Sequence, residues 1–276
     1  MARRVAVVTG GNKGIGKAIV RALCSKFDGD VILTARDESR GLAAVKDLEK
    51  EGLHPKFHIL DITKKETIKT LASYLKDHYG GLDVLVNNAA IAYKRVDTAP
   101  FSEQAINTIG INYFATLDVC HELFPLLRKH ARVVNVSSSA GQLHRIPGKD
   151  LQQRFLSALT EEELSKLMNE FVEAAKAGKS VQKGWGESAY AVSKNGVTAV
   201  TFIQHHKFSQ DPDMDIVINA VHPGYVDTDM TYHKGDLTPD QGAESSVYCA
   251  LLPPGVESPR GEFIFEDKKI HPWFPN

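Results

Sequence analysis

Tyr190 and Lys194 are the residues whose types and spacing most directly suggest chemistry in this sequence. They lie four residues apart, and on an α-helix that spacing places both side chains on one face. A tyrosine has an ordinary pKa of about 10, and a neighbouring cation favours the phenolate, so the pair could act as a proton donor near neutral pH. Helices also carry this pair for packing and solvation alone, so other motifs must decide between the two interpretations.

A glycine-rich segment follows the first apolar run of the chain, Val5–Val8. Glycines between a strand and a helix let the backbone approach a pyrophosphate, and the N-terminus of the helix presents free N–H groups to it. The position therefore predicts a dinucleotide-binding loop rather than an ordinary surface loop. Its predicted binding residues are Gly10, Asn12, Lys13, Gly14, Ile15 and Gly16.

Arg36 occupies the position, about twenty residues beyond the glycine loop, where an NAD-binding protein usually places a carboxylate against the ribose 2′-hydroxyl. A guanidinium matches a 2′-phosphate in charge and in bidentate geometry, and Lys13 adds a second cation. These residues predict NADPH/NADP+ as the cofactor. Two alternatives stay open, since Asp37 is a neighbouring carboxylate and an arginine on a surface turn is often merely solvated.

Further polar residues follow the third and fourth predicted strands. Asp61 closes the third strand and is followed by Ile62, and Asn88 comes directly after the fourth. The carboxyl ends of parallel strands share one edge of the sheet, so we expect Asp61, Ile62 and Asn88 to line the adenine and ribose. Asp and Asn at such positions also serve as turn or helix-capping residues, and that alternative stays open.

Short β-branched runs alternate with helical patterns along the chain. Strands are predicted at Val5–Val8, Val31–Thr34, Lys56–Leu60, Val84–Val86, Arg132–Val136, Ile216–Val221 and Glu262–Phe265. Helices are predicted at Ala18–Lys26, Gly41–Glu51, Lys65–His78, Ser102–Leu127 and Glu161–Lys176, with a further helix carrying Tyr190. This alternation predicts an α/β fold, a doubly wound, mostly parallel Rossmann-type sheet with helices on both faces.

The regular alternation stops between Ser138 and Tyr190. This stretch contains the helical pattern Glu161–Lys176, which a capping box of Thr160 and Glu163 begins. Its apolar positions form one stripe of Leu164, Leu167, Met168, Phe171, Val172 and Ala175. We therefore expect one catalytic domain over residues 1–276, with residues 140–188 as a helical insertion within it.

Composition narrows the class of protein and of partner. The chain has 276 residues, with 33 basic and 34 acidic side chains, which gives no reason to expect nucleic acid or an anionic membrane as a partner. Three cysteines without a C-x-x-C spacing argue against disulfides and zinc, and they favour a reducing, cytoplasmic location. No apolar run approaches the roughly 20 residues that a membrane span needs, and His205, His206 and His222 show no metal-like spacing.

Five motifs occur in a fixed order along the chain, and together they resemble the short-chain dehydrogenases/reductases. They are T-G-x-x-x-G-x-G at Thr9–Gly16, N-N-A at Asn87–Ala89, N-V-S-S at Asn135–Ser138, Tyr190-x-x-x-Lys194, and P-G-x-x-x-T at Pro223–Thr228. The likeness covers nearly the whole chain. The insertion, with the residues around Lys13 and Arg36, is similar to the monomeric NADPH-dependent carbonyl reductases of that family.

The resemblance implies a catalytic set of Asn112, Ser138, Tyr190 and Lys194. Tyr190 would give its proton to a carbonyl oxygen that Ser138 also hydrogen-bonds. Lys194 would lower the pKa of Tyr190 and hold the nicotinamide ribose, and Asn112 would position a water that links Lys194 to solvent. Considered singly, Ser138 could be a turn residue and Asn112 a satisfied polar residue inside a helix.

The resemblance also implies the surroundings of the nicotinamide and the substrate. Val226 would meet the carboxamide and Thr228 the pyrophosphate. The family usually has glycine where this chain has Ala90, which would narrow the site slightly. The substrate pocket would be bounded by Gln104, Ser138, Ser139, Ala189, Tyr190, Tyr225 and the loop Met230–Thr238.

The implied activity is the NADPH-dependent reduction of a small-molecule carbonyl compound to an alcohol. Aldehydes, ketones and quinones, with steroid and prostaglandin ketones among them, all fit. A hydroxysteroid or other alcohol dehydrogenase working in the oxidative direction, a lyase or epimerase, and a non-redox cofactor-binding sensor are the alternatives. The insertion would cover the surface through which family members commonly pair, which predicts a monomer, whereas a separate subdomain would leave that surface open.

Overall fold

The computed structural model describes residues 3–93 and 97–274 and contains a seven-stranded sheet in the order β3-β2-β1-β4-β5-β6-β7. Each neighbouring pair of strands is parallel. The strands are β1 Val5–Val8, β2 Asp30–Ala35, β3 Lys56–Ile59, β4 Leu82–Asn87, β5 Leu127–Val136, β6 Val217–Val221 and β7 Phe263–Ile264. The strand order reverses between β1 and β4, which opens a crevice at the carboxyl edge of the sheet.

Helices cover both faces of the sheet. Side chains of β1 alternate between two cores, with Ala6 and Val8 facing one and Val5 and Val7 facing the other. The main helices are α1 Gly14–Lys26, α2 Glu38–Lys50, α3 Lys65–Tyr79, α4 Phe101–Ile109, α5 Thr116–Leu123, α6 Lys149–Ser157, α7 Glu161–Lys176, α8 Ala189–Ser209 and α9 Pro239–Ala250. Helices α1, α2 and α9 pack on the first core, and α3 and α5 on the second. The predicted doubly wound fold is confirmed.

The predicted single helix over Ser102–Leu127 is wrong in its continuity and in its end. A π-helical turn, Gly110–Ala115, separates α4 from α5, and β5 begins at Leu127 rather than at the predicted Arg132. The apolar spacing of the sequence continues across the π-helical turn, so periodicity alone does not reveal the extra residue.

Two helices, α6 and α9, were not predicted. The sequence does contain a signal for α9: Thr238 and Gln241 form a capping box, and Pro239 occupies the first helical turn. The first turn of α1 was also missed, since its glycines indicate a loop, yet α1 begins at Gly14. Among the residues that the structure describes, no helix is long and apolar enough to cross a membrane.

The insertion folds back onto the central helices. The predicted capping box of Thr160 and Glu163 begins α7, and the predicted stripe is buried apart from Val172, which is partly buried. The stripe shares a third core with Ile109 of α4 and Val192 of α8. The outer faces of α4 and α8 are therefore covered by residues of the same chain.

Candidate active site

The glycine loop joins β1 to α1 in a conformation that requires glycine. Gly10 and Gly14 have positive φ angles of +64° and +53°, which other residues rarely adopt. A Cβ on Gly16 would collide with the carbonyl oxygen of Gly10, so the loop lies directly on the first turn of the helix. The loop therefore keeps its backbone exposed and close-packed, as a phosphate-binding turn needs.

The N-terminus of α1 carries no side-chain cap. Lys13 stands at the capping position, and its side chain makes no capping hydrogen bond. The N–H groups of the first turn, together with the positive end of the helix dipole, are then suited to phosphate oxygens. The backbone of Lys13, Gly14, Ile15 and Gly16 thus fits a dinucleotide pyrophosphate.

Asn88 braces the glycine loop from the end of β4. Its side-chain amide donates to the carbonyl oxygens of Thr9 at 2.9 Å and Gly10 at 3.2 Å. The Thr9 hydroxyl accepts the N–H groups of Asn88 at 2.9 Å and Ala89 at 3.0 Å in return. Asn88 thus supports the loop that is predicted to bind the cofactor. The backbone at Ala90 avoids positive φ, so the alanine there is unstrained.

Arg36 and Asp37, the two residues after β2 that could contact the cofactor ribose, lie in different surroundings. Asp37 caps α2, where its carboxylate accepts the N–H of Arg40 at 2.9 Å and the hydroxyl of Ser39 at 2.9 Å. These bonds, with the Arg40 charge, lower the pKa of Asp37 to about 2. Arg36 is exposed beside it. Because the Asp37 carboxylate is engaged in capping, Arg36 is the group better suited to meet a 2′-phosphate.

Asp61 is held in a turn after β3. Its carboxylate accepts the N–H of Thr63 at 3.1 Å and the Thr63 hydroxyl at 2.7 Å. Burial opposes ionisation, but the Thr63 bonds and the charges of Lys64 and Arg36 outweigh it and lower the pKa of Asp61. The Ile62 side chain packs into the second core, so a cofactor contact there falls to its main chain.

The loop after β6 meets the glycine loop. A Cβ on Gly14 would lie 3.3 Å from Cγ2 of Thr228, so the predicted pyrophosphate residues are adjacent. Lys13 Nζ lies 2.6 Å from Asp229 Oδ2, an exposed ion pair that was not predicted. Val226 is buried and forms a backbone bridge with Leu237, which closes the base of this loop.

Ser138, Tyr190 and Lys194 come together at the carboxyl end of β5. The Ser138 hydroxyl lies close enough to the Tyr190 phenol to affect its pKa, and Lys194 Nζ lies 5.6 Å from the centroid of the Tyr190 ring. Lys194 is buried and donates to the Val136 carbonyl oxygen at 2.7 Å. The main chain of α8 is fastened to the same strand end, because the Ser137 hydroxyl donates to Lys194 O at 3.1 Å.

Burial shifts the pKa values of the two central groups. Desolvation raises the pKa of Tyr190, although the Ser138 hydrogen bond acts against it. Desolvation lowers the pKa of Lys194 to about 8. The prediction that Lys194 lowers the Tyr190 pKa is wrong for this arrangement, because the ammonium is directed at Val136 O and desolvation of the phenolate dominates.

Asn112 lies in the π-helical turn and is almost fully buried. Its amide accepts the Ile91 N–H at 2.8 Å and donates to Ile91 O at 2.9 Å and to Ser193 Oγ at 3.0 Å. The Ser193 hydroxyl donates in turn to Tyr190 O at 2.8 Å. Asn112 is thus hydrogen-bonded through Ser193 to the helical turn that carries Tyr190. Ser193 was not predicted as a site residue, and the only sequence signal for it was its spacing from Tyr190 on α8.

The predicted substrate residues are less tightly grouped. The Gln104 amide donates to Ala99 O at 2.9 Å, and the Ala189 methyl group packs into the third core. Tyr225, Met230 and Tyr232 expose 51%, 39% and 40% of their surface in the loop after β6, which gives that loop an apolar, accessible face.

His205 is buried, and His222 is partly buried. Burial lowers the pKa of His205 to about 4 and also lowers that of His222, as expected for core imidazoles. Within residues 3–93 and 97–274, no group of three or more His, Cys, Asp or Glu side chains could hold a metal ion.

Comparison with known proteins identifies relatives along the full chain. A family model described as short chain dehydrogenase matches residues 4–149. "Carbonyl reductase [NADPH] 1" of Rattus norvegicus is 53% identical over 274 residues, covering 98% of this chain and 99% of the relative. Its Homo sapiens counterpart is 52% identical over 272 residues, covering 98% of each chain.

Solved structures agree in fold over almost the whole chain. Salutaridine reductase from Papaver somniferum has a TM-score of 0.86 at 34% identity, covering 95% of this chain and 99% of its own. Menthone neomenthol reductase from Mentha piperita has a TM-score of 0.81 at 32% identity, with 96% and 99% covered. The chain therefore belongs to the short-chain dehydrogenase/reductase family.

Proposed function

We propose that this protein is an NADPH-dependent carbonyl reductase that converts small-molecule carbonyl compounds to alcohols. The observation that carries the proposal is the meeting of Ser138, Tyr190 and Lys194 beside a glycine loop suited to a dinucleotide. Relatives named carbonyl reductase [NADPH], at 53% and 52% identity over nearly the whole chain, support the same activity.

Several parts of the same sheet edge would hold the cofactor. The uncapped N-terminus of α1 and Thr228 would bind the pyrophosphate, and Arg36 would bind the 2′-phosphate. Lys194 would hold the nicotinamide ribose, and the Val226 main chain would meet the carboxamide. When bound there, NADPH supplies the hydride that the carbonyl carbon accepts.

Tyr190 donates the proton. Its raised pKa keeps the hydroxyl protonated at neutral pH, which suits an acid that acts as charge develops on the carbonyl oxygen. Ser138 hydrogen-bonds the same oxygen and stabilises the alkoxide character of the transition state. A protonated phenol favours reduction over the oxidative alternative, in which Tyr190 would have to act as a base.

Lys194 and Asn112 return the proton to Tyr190. With a pKa of about 8, Lys194 can exchange a proton near neutral pH more readily than an exposed lysine can. The π-helical turn at Asn112 interrupts the regular hydrogen bonding of its helix, which frees main-chain groups to hold a water beside the relay.

The same geometry supports a proposed substrate type and assembly. The exposed side chains of Tyr225, Met230 and Tyr232 favour apolar carbonyl compounds over charged ones. The α7 stripe occupies the outer faces of α4 and α8, so we propose a monomer formed by one catalytic domain. The three free cysteines fit a reducing, cytoplasmic location. The near balance of 33 basic and 34 acidic side chains gives no reason to propose nucleic-acid or membrane partners.

A panel of aldehydes, ketones and quinones, assayed with NADPH and with NADH, tests the proposal. We expect one alcohol formed per NADPH oxidised and much weaker reaction with NADH. Tight NADPH binding without turnover on any member of the panel would instead indicate a sensor, and product formation without net cofactor oxidation would indicate a lyase or epimerase.

A further inference from the structure

The last described residues, 271–274, return to the catalytic end of the sheet. The Trp273 indole N–H donates to Gly141 O at 2.8 Å and lies 3.3 Å from Asn195 Oδ1. The Leu143 N–H donates to the Trp273 carbonyl oxygen at 2.8 Å. The tail is therefore tied in both directions to the segment that directly follows Ser138.

That segment is a single 3₁₀ turn, Ser139–Gly141, which Ser138 begins and caps. The Ser138 hydroxyl accepts the Ala140 N–H at 3.2 Å, and the Gly141 N–H donates to Ser138 O at 2.7 Å. A displacement of Gly141 is therefore transmitted to Ser138 through two short hydrogen-bonded links. The Trp273 bond to Gly141 O holds the far end of the turn.

The turn also lies against α8 at its catalytic lysine. A Cβ on Gly141 would stand 2.7 Å from the carbonyl oxygen of Lys194, closer than packed atoms allow. Asn195, which is fully buried, donates to Ala140 O at 3.3 Å and Gln142 O at 3.4 Å. The turn is consequently held between α8 on one side and Trp273 on the other.

The indole ring is anchored by two helices. Its centroid lies 5.4 Å from that of Phe202 in α8 and 6.3 Å from that of Phe155 in α6, both in edge-on geometry. The ring thus spans the insertion and the helix that carries Tyr190. This packing directs the indole N–H toward Gly141. Ring packing and hydrogen bonding together therefore hold Trp273 against the Ser139–Gly141 turn.

We infer that Trp273 is a positioning residue for the reaction: it clamps the Ser138 turn against α8 and so sets the Ser138–Tyr190 contact. This inference rests on the proposed carbonyl reduction. Trp273 touches neither reacting group, and its effect reaches the carbonyl oxygen through Gly141 and Ser138. A loose turn would leave the substrate bound but its oxygen poorly aligned with the two donors.

Trp273→Phe keeps an aromatic ring against Phe202 and Phe155 and removes the N–H donor. The matched control is Trp185→Phe, because Trp185 is the other tryptophan of the chain and packs on the same Phe155, at 6.2 Å. We expect Trp273→Phe to lower kcat by about tenfold, with the carbonyl KM and the NADPH Kd within about twofold of the parent. Trp185→Phe should retain the parental kcat.

Hydrogen exchange supplies a readout that needs no turnover. In Trp273→Phe, peptides covering residues 138–143 should exchange faster than in the parent and in Trp185→Phe, whereas peptides of α7 should be unchanged. Either parental kcat or parental exchange in Trp273→Phe would overturn the inference. So would a fall in kcat matched by Trp185→Phe at equal loss of thermal stability.

The two proposals can fail separately. If the parent reduces no carbonyl compound while exchange in residues 138–143 depends on Trp273, the proposed function is wrong and the catalytic part of the inference falls with it. If the parent is active and exchange is insensitive to the indole N–H, the inference alone is wrong.

Discussion

At the scale of single residues, burial assigns the two central groups their protonation states. Desolvation keeps the Tyr190 phenol protonated and makes the Lys194 ammonium easier to deprotonate. The spacing of the pair was readable in the sequence, whereas these directions were not, because they depend on how much water the surrounding chain excludes. Asp37 is a similar case, since its capping bonds to α2 appear only in the structure.

The buried lysine predicts a pH dependence of stability. The pKa of Lys194 in the folded protein is about 8, below its ordinary value of 10.5, so between these values the unfolded chain binds more protons than the folded one. The free energy of unfolding should therefore rise with pH across this range, by on the order of 1–3 kcal/mol. Urea titrations of the parent and of Lys194→Met at several pH values measure it. An equal pH slope in both proteins would contradict the expected burial penalty.

Arg36→Asp should weaken NADPH binding by about 10- to 100-fold and leave NADH binding unchanged or improved, because it replaces the proposed ligand of the 2′-phosphate by a side chain that carries negative charge, as the phosphate does. Lys46→Asp is the matched control, since it makes the same charge change on an exposed position of α2. Isothermal titration measures both affinities. Unchanged discrimination between the cofactors in Arg36→Asp would remove the phosphate role of this residue.

At the scale of elements, local patterns were sufficient for the existence and order of the strands and for α7, because continuous apolar runs and a capping box are visible within a few residues. They did not give the start of β5 at Leu127. The interruption at Gly110–Ala115 was not predictable, since apolar spacing continues through it. The contact between Trp273 and Gly141 joins residues distant in sequence, and no local pattern indicates it. The glycine loop could be predicted as a site because phosphate binding depends on the main chain of consecutive residues, which can be read directly from the sequence.

The π-helical turn predicts a coupled effect on stability and turnover. Asn112→Ala removes the hydrogen-bond partner of the partly buried Ile91 N–H and carbonyl oxygen and one of the two partners of the buried Ser193 hydroxyl, so the free energy of unfolding should fall by about 2–4 kcal/mol. Turnover should fall at least about tenfold because the Tyr190 turn loses its support. Asn107→Ala, which loses one bond to the Tyr93 hydroxyl, serves as the control for an amide removed from the neighbouring helix α4. Equal effects of the two substitutions on kcat would argue against a special role for Asn112.

At the scale of the whole molecule, the insertion turns a surface between helices into a core. Leu164, Met168 and Phe171 of α7 are fully buried against α4 and α8. The amphipathic pattern of α7 was readable from the sequence, but the surface that it covers was not. The same insertion supplies Phe155, which packs against Trp273, so it also supports the catalytic end of the sheet.

Sedimentation or light scattering at micromolar concentration should give a monomer of 30.4 kDa. Leu164→Glu places a charge in the third core, which should loosen α7 and cause self-association through the uncovered apolar surface. Val181→Glu makes the same change at a position that is 59% exposed and should remain monomeric. A stable dimer or tetramer of the parent would contradict the proposed covering role.

Replacement of Tyr190, the proposed proton donor, tests the central claim most directly. Tyr190→Phe should lower kcat for carbonyl reduction by about 10²- to 10⁴-fold while NADPH binds with near-parental affinity. Tyr79→Phe is the control, because it removes a buried hydroxyl that donates to Asp30 at 2.8 Å, outside the proposed site. Tyr79→Phe should lose stability and keep its kcat. Near-parental turnover by Tyr190→Phe, measured as alcohol formed per NADPH oxidised, would show that another group donates the proton.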